Sequence, residues 1–185
     1  MSLILASASP RRRELLERIV PVFTVEPADL DESAADFLPA CRRPSFLARE
    51  KAELISRRHP GALVLGCDTG VILGGRMLGK PADYQQACAM LEALSGRTHE
   101  VITGCCLARD GLLWTLQCVT LVTFYPLCAR QIADYAATDE PYDKAGGYGI
   151  QGTGAVFVRA ISGDYYNVVG LPVSALARVL RRIYQ

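Results

Sequence analysis

The chain has 185 residues, half of them apolar, and 20 Lys and Arg against 19 Asp and Glu give a net charge of +1. That length suits a single domain burying about 70% of its unfolded surface without disulfides or a structural metal. The charge balance excludes a disordered chain and sequence-independent binding to duplex nucleic acid.

No apolar run reaches the roughly 18 residues of a membrane span. The opening Met-Ser-Leu-Ile-Leu-Ala meets Arg11, Arg12 and Arg13 too early for a signal peptide. In chain order, the pattern predicts a buried strand over 3–6, then a helix capped by Ser9 with Pro10 in its first turn. A strand over 22–25, an acidic irregular stretch over 26–40 and a helix from Pro44 follow. Residues 62–67 read as a strand broken at Asp68-Thr69-Gly70 and resumed over 71–73, with Gly74-Gly75 as a hairpin turn. Asp83 caps a helix that Gly96 ends. Strands over 100–108 and 112–124 flank a turn at Asp110-Gly111, and a helix covers 127–137. A Gly-rich stretch over 140–154 precedes strands over 155–161 and 165–169, and Pro172 opens a C-terminal helix. The mixture of hairpins and strand-helix-strand units is α/β.

The seven Cys form no C-x-x-C pair. They read as reduced, buried small hydrophobes of a cytoplasmic protein. His59 and His99, the two histidines, lack the spacing of zinc ligands. They read as structural or surface groups, and Trp114 as sheet packing.

The chain spends Arg nearly everywhere for positive charge and keeps Lys only at 51, 80 and 144. An ammonium and a guanidinium are not exchangeable at a phosphate site, so those three positions stand out. Ser7-Ala8-Ser9-Pro10-Arg11-Arg12 is a strand-to-helix turn whose free amides and guanidiniums suit an anion; the alternative is an ordinary capped helix. Asp68 at a strand interruption suits a divalent cation or a proton from water, the alternative being a β-bulge or turn. Gly79-Lys80-Pro81 holds Lys80 in a defined place, or is a turn with an exposed Lys. Gly146, Gly147, Gly149 and Gly152 suggest backbone lining a ligand beside Gln151, which suits a pyrimidine edge; a flexible surface loop is the alternative. Asp29-Leu30-Asp31-Glu32 is a solvated acidic loop or supplies a second metal carboxylate. Phosphate, cation and base groups together point to nucleotide hydrolysis.

Leu5-Ala6-Ser7-Ala8-Ser9-Pro10-Arg11-Arg12 resembles the opening signature of the Maf family. So do Ala48-Arg49-Glu50-Lys51-Ala52, Asp68-Thr69, Gly79-Lys80-Pro81, Leu94-Ser95-Gly96-Arg97-Thr98-His99 and Gly170-Leu171-Pro172. The ordered set covers essentially the whole chain and contains two of the lysines, and the third lies in the string from Asp143 to Gly152, which resembles the branch acting on dTTP and UTP. The branch acting on 7-methyl-GTP is the alternative, as is a non-catalytic nucleotide-binding regulator of septum formation.

The resemblance implies a mixed, elongated sheet with flanking helices and two lobes around a nucleotide cleft, like inosine triphosphatases. It implies a pyrophosphatase releasing a monophosphate and pyrophosphate with Mg²⁺ or Mn²⁺, often as a homodimer. Carried over by motif, Asp68 is the proton acceptor. Arg11, Thr69 and Gln151 stand at positions tied to substrate choice. Ser7, Arg12, Lys51 and Lys80 stand at phosphate positions, and Glu32 joins Asp68 at the metal.

Overall fold

The computed structural model describes residues 2–185. Seven strands form one mixed sheet: β1 (Leu3–Leu5), β2 (Thr24–Val25), β3 (Leu63–Leu73), β4 (Arg76–Leu78), β5 (Thr98–Arg109), β6 (Leu112–Phe124) and β7 (Val158–Ser162). Their order is β2-β1-β3-β5-β6-β7, with β4 paired to β3. The β1 pairings are parallel and the others antiparallel. The helices are α1 (Pro10–Glu17), α2 (Arg43–Ser56), α3 (Tyr84–Leu94), α4 (Ala129–Ala136), α5 (Tyr165–Val169) and α6 (Val173–Tyr184).

Most local expectations hold. Ser9 caps α1 by accepting from the Arg12 amide, and Asp83 caps α3 by accepting from the Gln86 amide. Five readings change. The strand expected to break at Asp68 is continuous, because β5 supplies a partner all along it: Asp68 faces Gly104 and Thr69 faces Thr103 with no bulge. Residues 165–169 form a helix instead of a strand. Asp164 caps it through the Tyr166 amide, and Gly170, at φ +122°, closes it with its N–H on Tyr166 and Asn167. Five residues are too few for apolar periodicity to separate helix from strand. The strand expected at 155 starts only at Val158, after a 3₁₀ turn over Thr153–Phe157. Val22 is 82% exposed and lies outside β2. All seven Cys are free, but only Cys67, Cys105 and Cys106 are buried; Cys41 and Cys128 are exposed.

The apolar side chains collect in separate cores. One gathers β1, α1, α6 and the first half of β3 through Leu3, Leu16, Leu65 and Leu176. Trp114 packs against it, with the Arg109 guanidinium over its ring. A second gathers the far half of β3 with α3 and α4 through Val71, Leu91, Phe124 and Ile132. A third sits under α2, around Ala48, Ala52 and Ile55. Asp68 and Thr69 lie on β3 between the first two cores, which is where a cleft can open.

Candidate functional site

Close backbone packing sets up the site. A Cβ on Gly66 would lie 2.1 Å from the Ala48 carbonyl oxygen, and one on Gly104 2.5 Å from Ser45. Only glycine lets α2 settle this deep onto β3 and β5. That approach carries Lys51, itself buried, over the middle of β3. Its ammonium donates to Asp68 Oδ1 at 2.8 Å and to Glu32 Oε1 at 2.7 Å. Glu32 opens a 3₁₀ turn over Glu32–Ala35 that Asp31 caps through the Ser33 amide. Burial pushes the Asp68 carboxyl up; Lys51 and Arg12 pull it down without cancelling that effect.

On the opposite side, α1 presents Arg12. Its Nε donates to the Gly170 carbonyl, Nη1 to Ser7 Oγ and Nη2 to Thr69 Oγ1, at 3.0, 3.1 and 3.0 Å. A guanidinium has five N–H donors, so two remain for a ligand. Arg11 reaches across to Asp143 at 2.9 Å and ties α1 to the Gly-rich segment. Lys144 pairs with Asp143 and also donates to the Glu140 carbonyl.

These elements enclose a cleft of about 920 Å³. Of the nine residues singled out in the sequence, Arg11, Arg12, Glu32, Lys51, Asp68, Thr69, Lys80 and Gln151 line it. Ser7 does not: it is buried behind Arg12, accepting from that side chain and from the Ser9 amide.

The Gly-rich segment is not a flexible surface loop. Residues 146–149 are buried, and a Cβ on Gly149 or Gly152 would lie 2.6 or 2.3 Å from the Glu140 carboxylate. These two glycines make room for Glu140 rather than for a ligand alone. Glu140 accepts from Tyr135 Oη, the Thr153 amide and hydroxyl, and the Gly154 amide. Burial works to raise its carboxyl, and the bonds from Thr153, Gly154 and Tyr135 outweigh that and lower it. Sequence reasoning missed Glu140 as a brace; the available signal was a run of glycine amides that needs an acceptor. His99, read from the sequence as a structural or surface group, is structural: it is 1% exposed and bonds Tyr148 Oη at 2.7 Å beneath the cleft. Burial pushes that imidazole down to about 4.

Glu32 and Asp68 already share one cation, the Lys51 ammonium. Among the described residues no three His, Cys, Asp or Glu side chains converge into a ready cage. Mg²⁺ commonly takes one or two carboxylates and completes its shell with water and phosphate oxygens. The donor set fits such an ion.

The family described as Maf-like protein matches residues 2–183. The chain belongs to the Maf family. It is 51% identical over 178 residues to the dTTP/UTP pyrophosphatase of Exiguobacterium sibiricum, covering 96% of this chain and 90% of that relative. It is 50% identical over 180 residues to the dTTP/UTP pyrophosphatase of Moorella thermoacetica, covering 96% and 93%. The HAM1 protein from Coxiella burnetii shares its fold, with a TM-score of 0.55 at 15% identity over 98% of this chain and 99% of that one. The mixed sheet with flanking helices thus matches the Maf and HAM1 architecture. No described helix of this Maf chain is long and apolar enough to cross a membrane.

Proposed function

We propose that this Maf protein is a nucleoside triphosphate pyrophosphatase that converts dTTP and UTP to the monophosphate and pyrophosphate. The observation that carries the reading is Asp68, raised by burial and held by Lys51 in a cleft walled by Arg11, Arg12, Lys80 and Gln151. The curated relatives named above as dTTP/UTP pyrophosphatases support the substrate class.

In this mechanism Lys51 occupies Asp68 Oδ1, and Oδ2 is the oxygen left to take a proton from water. The water oxygen bonds to the α-phosphorus, the bond from that phosphorus to the α–β bridging oxygen breaks, and pyrophosphate leaves. A raised carboxyl is a better base than an ordinary Asp. Arg12, through its two free donors, and Lys51 and Lys80 stabilise the charge that builds on the phosphates. Glu32 and Asp68 are the residues that would hold Mg²⁺ or Mn²⁺, whose chemistry there is neutralisation of phosphate charge. Arg11 and Gln151 face the nucleoside end, where Gln151 can both donate and accept. Ser7 acts by holding Arg12.

The test is pyrophosphate release from dTTP, UTP, CTP, GTP and 7-methyl-GTP, with Mg²⁺, Mn²⁺ or EDTA. Metal-dependent release favouring dTTP and UTP is expected, and Asp68→Asn should lower turnover by about two orders of magnitude or more while the fold survives. Release from 7-methyl-GTP alone overturns the substrate. Tight nucleotide binding without release overturns the enzyme.

A further inference from the structure

A chain of hydrogen bonds runs from the buried Thr103 to Thr69 on the cleft wall. Thr103, wholly buried on β5, bonds the backbone carbonyl of Asn167 at 3.0 Å. A carbonyl only accepts, so the single hydroxyl proton of Thr103 is spent there. In its 2.9 Å contact with Thr69, Thr103 must therefore accept and Thr69 must donate. Thr69 has then no proton to offer. Arg12 Nη2 takes one of its lone pairs at 3.0 Å, and the other remains on a side chain of the cleft wall.

The arrangement is held from behind. The Asn167 side chain donates to the Val101 carbonyl and to Thr120 Oγ1, each at 2.9 Å. Thr120 is in turn pinned by the backbone of Asp164. The Asn167 carbonyl thus cannot easily move to release the Thr103 proton, and the direction of both hydroxyls is built into the fold.

We propose that Thr103 is a positioning residue for substrate choice: by taking the Thr69 proton it makes Thr69 an acceptor toward the ligand. An oxygen that can only accept is repelled by phosphate oxygens, so any donor the substrate offers it is an N–H or O–H of the nucleoside. Uracil and thymine carry an N–H at ring position 3, whereas cytosine presents a bare nitrogen there. The fixed hydroxyl therefore favours UTP and dTTP over CTP. A sugar hydroxyl would donate equally in UTP and CTP and give no such discrimination. The inference rests on the pyrimidine triphosphate reading above.

The experiment compares kcat/KM for UTP and CTP in the wild type, Thr103→Val, Thr103→Ser and Thr69→Val, with thermal unfolding of each. Thr103→Val keeps the shape and frees the Thr69 proton to turn toward the ligand. The ratio of UTP to CTP should fall about tenfold, while Thr103→Ser keeps the wild-type ratio. Thr69→Val removes the acceptor itself, so the ratio should fall there even where Thr103→Val does not fold. Equal losses for both substrates in the Val variants, or a Ser variant that behaves like Val, overturn the proposal. A wild type that hydrolyses CTP as well as UTP overturns it and leaves the pyrophosphatase standing. No pyrophosphate from any triphosphate overturns the function beneath it.

Discussion

The two ends of the cleft are organised by different means. At the Asp68 end, backbone packs on backbone: α2 lies against Gly66 and Gly104, and Lys51 is delivered to Asp68 and Glu32 as a consequence. At the Gln151 end, side chains brace a loop: Glu140 ties Tyr135, Thr153 and Gly154 together, and Arg11 reaches over to Asp143. Backbone packing is nearly all-or-none, because neither partner can yield. A set of hydrogen bonds can be loosened one at a time. The Asp68 end is thus the rigid one, and the Gln151 end is the tunable one.

The most severe way to break this division is Gly66→Ala. Its Cβ would meet the Ala48 oxygen and the Ala52 amide at 2.1 and 2.7 Å, and both are helix backbone. The expected cost is about 3 kcal/mol or more in urea unfolding, with loss of pyrophosphate release as Lys51 moves off Asp68. Gly79→Ala is the control, since nothing lies within 4 Å of its added Cβ. It should stay within about 0.5 kcal/mol of the wild type. Equal stability of the two variants contradicts the packing account.

Acid probes the other end. His99 lies in the aromatic group with Phe124 and Tyr148, and burial pushes its imidazole down to about 4. Above pH ~6.5 the ring is neutral in both the folded and unfolded chain. Between about 6.5 and 4 only the unfolded chain takes the proton, so stability falls as pH falls. Between pH 7 and pH 5 the ring should account for roughly 2 kcal/mol of lost stability. Urea unfolding at both pH values, compared with His99→Gln, isolates that contribution. An identical pH dependence in the variant removes His99 as its source.

The same contrast decides what was legible in the sequence. Short-range chemistry was readable: the Ser9 and Asp83 caps and the Asp110-Gly111 turn all stand where the residue types require. The charged groups of the cleft were readable too, because ordered motifs pointed to them. What the sequence hid was whatever depends on a distant partner. Asp68 looked like an interruption because β5, which pairs with it through Gly104, lies over 30 positions away in the chain. Residues 165–169 are the exception: their caps, Asp164 and Gly170, are local, but five residues are too few for apolar periodicity to show a helix. Ser7 stands at a phosphate position by family motif, and nothing local shows that Arg12 turns back onto it. Glycines 149 and 152 looked like ligand backbone because Glu140, the group they accommodate, precedes them by 9 and 12 positions with no periodic pattern between.

Glu140→Gln makes the smallest change and separates the two ends most cleanly. The carboxylate is used on both oxygens: Oε2 faces the Thr153 amide at 2.9 Å and Oε1 faces the Gly154 amide at 3.2 Å. A carboxamide has one oxygen, so whichever way it flips, its NH₂ meets a backbone N–H. The variant keeps the volume and loses acceptor capacity at one point of the loop. Nothing it touches bonds Lys51, Asp68 or Glu32. KM for UTP should therefore rise about tenfold while kcat stays within about threefold, since binding is lost equally from ground and transition states. A fall in kcat at unchanged KM would show that the brace reaches the Asp68 end, and that the cleft is one rigid unit rather than a fixed half and an adjustable half.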